Sequence, residues 1–153
     1  MEYQLNGLLN KIILKWFNWH YLKYFATCSI KIDMKALILF GHGARDSRWR
    51  EPFDRLASLW RAQHSEVRVE LAFLELMKPS LEEAIYGLAG DGATEVVVVP
   101  VFFGQGGHLR NDFPVLLSAC QEKFPEIKLS ATPAVGEDEA VLQAIIEFSA
   151  RAL

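Results

Sequence analysis

From residue 34 onward, apolar residues fall into two alternating rhythms. The near-continuous apolar run Lys35 to Phe40 has the pattern of a strand buried on both faces of a parallel sheet. Phe53, Leu56, Ala57 and Trp60 then recur at i, i+3, i+4 and i+7 behind Pro52, a favoured first-turn residue, and predict a helix. Val67 to Leu74 alternates Val67, Val69 and Leu71 with charged Arg68 and Glu70 before turning apolar, and reads as a second strand. Leu81, Ala84, Ile85 and Leu88 restore the helical period. Ser80-Leu81-Glu82-Glu83 ahead of them matches a capping box, and Gly90-Asp91-Gly92 closes the segment. Val96 to Phe103 predicts a third strand, in which Pro100 removes a ladder donor and marks a bulge or an end. Asp112 is placed to cap a helix carrying Leu116, Ala119 and Cys120. Ile127 to Ala131 reads as a short fourth strand, and Asp138 precedes a last helix with Val141, Leu142, Ile145 and Phe148.

The order βαβαβαβα predicts an α/β fold: a three-layer, doubly wound domain with a four-stranded parallel sheet and helices on both faces. Right-handed crossovers favour strand order 2-1-3-4. In that order the first and third strands are neighbours and the chain reverses direction between them, the point where open α/β sheets bind ligands. His42 follows the first strand in Gly41-His42-Gly43, and His108 follows the third in Gly104-Gln105-Gly106-Gly107-His108. Both histidines are expected in glycine-flanked loops facing one crevice, where two neutral imidazoles suit a borderline transition metal. Glycines around them, Gly106 and Gly107 included, let the backbone turn sharply and approach a bulky ligand without Cβ clashes. Arg45, Arg48, Arg50, Lys78 and Arg110 supply cations able to pair with ligand carboxylates, Arg45 and Arg110 foremost. Glu75 reaches the same rim, either as a site carboxylate or as an ion-pair partner of Lys78. His64 is expected at a helix C-terminus, and Cys120 as a small buried hydrophobe.

At 153 residues the chain is sized for one domain with a real core. A net charge of −3 argues against a nucleic-acid binder, which normally carries a basic excess. Cys28 and Cys120 form no CxxC pair, so a reducing, cytoplasmic setting is expected. Residues 1–33 differ from the rest: they are apolar and aromatic, but Lys11, Lys15 and Lys23 interrupt any run long enough to span a bilayer. No clean signal-peptide core leads to a cleavage site. The expected division is an N-terminal extension over 1–33, outside the functional protein, and a functional domain over 34–153. Contact of the extension with a membrane surface is the lesser reading.

Three motifs together point to a family. They are Gly41-His42-Gly43-Ala44-Arg45-Asp46; Ala72-Phe73-Leu74-Glu75 with Pro79-Ser80-Leu81; and Val99-Pro100-Val101-Phe102-Phe103-Gly104-Gln105-Gly106-Gly107-His108 with Asp112-Phe113-Pro114. In order and spacing they resemble the small class II chelatases of the cobalamin-biosynthesis CbiX type, over Met34 to Leu153. That resemblance implies insertion of a divalent metal into sirohydrochlorin, a polycarboxylated tetrapyrrole, without ATP or an organic cofactor. Cobalt is named first, with Fe²⁺ and Ni²⁺ as other candidates. The resemblance also implies that His42 and His108 bind the metal and help remove pyrrole protons, with Glu75 on an acidic position. It further implies a half-length form that pairs with itself as a homodimer. The rival readings are a sirohydrochlorin ferrochelatase for sirohaem and a non-catalytic metal-binding or delivery protein. A phosphohistidine phosphatase would want Arg-His-Gly, whereas Phe40-Gly41 precedes this imidazole.

Overall fold

The first apolar run forms the centre of a sheet. The computed structural model of the chain describes residues 34–104 and 106–153, apart from the side chains of 107–109. The segment 1–33, with Cys28 and the expectations placed on it, lies outside the described residues. Strand β1 (Met34–Gly41) pairs in parallel with β2 (Arg68–Phe73) on one side and β3 (Ala93–Pro100) on the other; β4 (Lys128–Ala131) pairs with β3. The strand order is β2-β1-β3-β4, as the crossover rule predicts. Helices α1 (Glu51–Gln63), α2 (Leu81–Gly90), α3 (Gly107–Lys123) and α4 (Glu139–Ala150) follow the four strands in turn. Single 3-10 turns at Ser47–Arg50 and Val135–Glu137 precede α1 and α4. No helix among the described residues is long and apolar enough to cross a membrane.

Alternation along β1 divides the core between two faces. Ala36, Ile38 and Phe40 pack with Val96 and Val98 under α2 and α3, against Leu81, Ile85, Leu88, Phe113, Cys120 and Phe124. Leu37 and Leu39 point the other way, with Val69, Leu71 and Phe73, under Phe53 and Ala57 of α1. From Ala36 onward both faces of β1 are therefore dry, which is why its sequence is apolar beyond Lys35. Edge strand β4 is secured from outside the sheet. The Gln121 amide donates to the Ile127 carbonyl at 2.8 Å, and its oxygen accepts from the Leu129 N–H at 3.0 Å.

Several boundaries differ from the sequence expectation. Strand β3 covers Ala93–Pro100 rather than Val96 to Phe103. Pro100 ends the ladder, its neighbour Val101 donating to the Phe40 carbonyl at 2.8 Å, so Val101 to Phe103 belong to the loop. Asp112 does not cap α3: that helix begins at Gly107 after Gly106 and carries Pro114 inside it. A proline has no N–H, so Asp-Phe-Pro imitates a helix start without being one. His108 thus lies in the first turn of α3 and not in a loop. The last helix forms behind its Asp138 N-cap as expected, but α4 buries no residue, and Leu56 and Ala119 are exposed as well. Val97 and Val99, on the face of the sheet that carries Leu37 and Leu39, remain only partly covered.

The capping box on α2 forms as expected. The Glu83 N–H donates to the Ser80 hydroxyl at 3.3 Å, and the Ser80 N–H donates to the Glu83 carboxylate at 2.7 Å. Lys78 Nζ, 2.7 Å from the same carboxylate, and the Ser80 N–H together pull the Glu83 pKa from 4.5 down to about 2. A depressed carboxylate stabilises the fold fully above its unfolded pKa and loses that contribution as pH falls through the folded value. The urea midpoint of Glu83→Gln should therefore lie below wild type at about pH 6 and converge with it near about pH 2. A gap that stays constant across this range would show that the charge contributes nothing. At the far end of α2, Gly92 takes φ +90 after the C-cap Asp91, where a side chain would be strained.

Candidate active site

Two loops at the carboxyl ends of β1 and β2 are tied together through their main chains. The Leu74 N–H donates to the Gly41 carbonyl at 2.9 Å and the Glu75 N–H to the His42 carbonyl at 3.0 Å. The chain turns away at Gly43 with φ +90, and any Cβ there would collide with the Glu75 carbonyl oxygen. Gly41 is equally confined, since a Cβ would stand 2.6 Å from the Phe53 ring. At these two positions glycine is demanded by close approach, and at Gly43 by conformation as well.

The tie brings His42 and Glu75 together. Nε2 of His42 lies 3.4 Å from Oε1 of Glu75, with the side chains 54% and 55% accessible, so the pair is open to an incoming ligand. The alternative partner for Glu75 is ruled out, because Lys78 is engaged with Glu83. Behind the imidazole stands a file of rings. Phe102 meets His42 edge-on at 6.2 Å and Phe40 edge-on at 5.8 Å, and Phe40 stacks on Phe113 at 5.4 Å. The imidazole is thereby anchored on the core while its nitrogen edge faces the carboxylate. Phe102 was not singled out in the sequence, where it reads as one more apolar residue of a strand.

The cations divide into two groups. Arg48 is spent locally: it chelates Asp46 through Nε and Nη2, and that contact lowers the Asp46 pKa and raises its own. Arg50 donates to the Lys78 carbonyl at 2.9 Å, pairs with Asp54 at 3.2 Å and lies over the Phe73 ring, tying the two loops again. Arg45 and Arg110 are exposed, and among the described residues neither guanidinium is held in an ion pair. His64 caps α1 with its ring 4.4 Å from Trp60, a structural role as expected. Cys120 is buried, and burial raises its thiol pKa.

The third motif supplies Phe102 and Phe113 to that file of rings. His108 is the second residue of α3, which starts beyond β3, the strand adjacent to β1. Its side chain, like that of Leu109, lies outside the described residues. Gly106 has φ −59, which any residue adopts, and open space where a Cβ would be, so no sharp turn demands glycine there. Across the rim, Gly136 meets the backbone of Phe103 too closely for any Cβ, and its N–H donates to the Phe102 carbonyl at 2.9 Å. Among the described residues no three His, Cys, Asp or Glu side chains converge as a metal cage. The His42–Glu75 pair is an open two-donor site, suited to a metal in transit and to moving protons.

Comparison with known proteins agrees with the three motifs. The CbiX family profile matches residues 36–152. A sirohydrochlorin cobaltochelatase of Methanosarcina acetivorans is 39% identical over 82 residues, which span 54% of this chain and 63% of that protein. A sirohydrochlorin ferrochelatase of Bacillus subtilis is 29% identical over 113 residues, 73% of this chain and 43% of that protein. Both matches thus span less than two thirds of the relative. Among solved structures, a cobalamin (vitamin B12) biosynthesis CbiX protein of Marinobacter aquaeolei superposes with a TM-score of 0.69 at 27% identity, over 77% of this chain and 93% of that one.

Proposed function

The chain belongs to the CbiX family, and on that premise we propose that its domain over 34–153 inserts a divalent metal, Co²⁺ first, into sirohydrochlorin without ATP or an organic cofactor. The observation that carries this reading is the exposed His42–Glu75 pair, 3.4 Å apart at the switch point of the sheet. Metallation needs a transient ligand for the ion and a base for the pyrrole N–H protons, and imidazole beside carboxylate supplies both. In this reading His42 binds the ion and, once the ion has passed to the ring nitrogens, accepts one of the two pyrrole protons, Glu75 accepts the other, both protons leave to solvent, and His108 serves from the first turn of α3 as the further metal ligand. Arg45 and Arg110 hold the peripheral carboxylates, and the chain at Gly106 and Gly107 lies under the ring. Carboxylate binding at the periphery then offsets the cost of bending the macrocycle toward the metal.

One rim covers a macrocycle from one side only, so a two-fold homodimer with facing rims is the form proposed for catalysis. Iron for sirohaem is the second reading, favoured by the likeness to the Bacillus ferrochelatase. The test is absorbance on mixing purified protein with sirohydrochlorin and Co²⁺ or Fe²⁺, anaerobically, at equal free metal and without nucleotide. Conversion well above the spontaneous rate is expected. Metal binding without acceleration would leave a delivery protein, and a much higher kcat/KM for Fe²⁺ would assign the chain to sirohaem synthesis.

A further inference from the structure

The residue after Glu75 has a conformation that its own chemistry opposes. Leu76 takes φ +62, the only positive φ of a non-glycine among the described residues. The Met77 N–H closes back on the Glu75 carbonyl at 2.7 Å, so Leu76 is the centre of a three-residue γ-turn of the rare, strained hand. A side chain with Cβ and Cγ is disfavoured there, and glycine or asparagine would make the turn at less cost. Nor does the fold gain from the side chain, which is 61% exposed. The turn itself has a place in the fold, since the Glu75 carbonyl on which it closes lies against Gly43. It does not explain why the residue is leucine. Whatever compensates a strained, exposed, apolar side chain beside the His42–Glu75 pair is to be sought outside the folded chain.

The rim shows what kind of partner that is. Along the carboxyl edge of the sheet, Leu76 lies beyond β2, the His42–Glu75 pair beyond β1 and β2, and Phe103 beyond β3. Phe103 is 69% exposed, and its backbone is pinned by the close approach of Gly136. With parallel strands about 4.8 Å apart, the ends of β2 and β3 stand about 10 Å apart, the scale of a tetrapyrrole ring. Polar donors in the middle and apolar side chains on either flank match a flat macrocycle with nitrogens at its centre and apolar faces.

We propose that Leu76, held out by its strained γ-turn, is a substrate-contact residue that packs against the face of the tetrapyrrole and fixes the ring over His42. This rests on the chelatase reading above, and the substrate class is a planar tetrapyrrole in its metal-free form. Binding the ring then recovers apolar burial that folding left unused.

The test compares Leu76→Gly, Leu76→Met and wild type by fluorescence titration with metal-free sirohydrochlorin and by urea unfolding. Leu76→Gly keeps the turn and relaxes its φ, so its midpoint should equal or exceed wild type. Its Kd for sirohydrochlorin should nevertheless rise on the order of tenfold or more, while Leu76→Met stays within about twofold. Undiminished binding by Leu76→Gly overturns the proposal, as does a lowered midpoint, which would make the side chain structural. Equal weakening in Leu76→Met overturns it too, because apolar bulk would then not be what matters. Wild-type protein that fails to bind sirohydrochlorin overturns the chelatase reading and this inference together, whereas binding by wild type with no loss in Leu76→Gly removes this inference alone.

Discussion

His42→Ala is expected to lower kcat for metal insertion by roughly a hundredfold to ten-thousandfold, the range for removing a positioned acid–base group. The imidazole combines the proposed ligand and base, and its nearest polar partner, Glu75 at 3.4 Å, cannot replace a neutral nitrogen donor. Stability should hardly change. The side chain is half exposed, and the bonds that secure the loop use the main chain of residue 42. Stopped-flow absorbance with sirohydrochlorin and Co²⁺, beside a urea titration of the same sample, gives both numbers. A variant that inserts metal at the wild-type rate would remove His42 from the chemistry. One that unfolds early would show the imidazole's contact with Phe102 to be structural.

Gly43→Ala is expected to be the most destabilising single change in the site. Two penalties combine: a positive φ imposed on a residue with Cβ, and a collision with the Glu75 carbonyl oxygen. Together they amount to about 3 kcal/mol or more. Gly92→Ala separates them, because Gly92 has the same φ of +90 but nothing within 4 Å of a Cβ. That variant carries the conformational penalty alone, about 1 kcal/mol. Equal urea midpoints for the two variants would mean that the loops yield and the tie between them is soft. With Gly43→Ala, activity should fall along with stability, since the clash pushes Glu75 away from His42.

Features that depend on periodicity and topology were legible from the sequence. Lys35 to Phe40 reads as a two-faced strand because both faces of β1 are buried, and the crossover rule then leaves little choice of strand order. The capping box was legible because Ser80 and Glu83 carry it in their own side chains. Where α3 begins was not, because the Asp112-Phe113-Pro114 signature of a start sits inside a helix whose first turn forms at Gly107. The stripe on α4 correctly announced a helix behind Asp138, but amphipathic spacing does not say what lies opposite it, and that helix buries no residue. Within the site, His42 and Glu75 were each legible as rim residues. Their pairing, rather than Glu75 with Lys78, depended on side-chain geometry. Phe102 and the γ-turn at Leu76 gave no warning, as Glu75-Leu76-Met77 holds none of the residues that usually announce a positive φ.

The bonds joining the two site loops run from the N–H groups of Leu74 and Glu75 to the carbonyls of Gly41 and His42. Every amino acid supplies a carbonyl, and every one but proline an N–H, so the tie is indifferent to which side chains stand at 42 and 75. Scaffold and chemistry are therefore separable in this site. Exchange of the imidazole or the carboxylate would leave the spacing between the two positions as it is. The glycine at 43 has no such freedom, so the frame depends on one residue type there and on none at the two positions that face the opening.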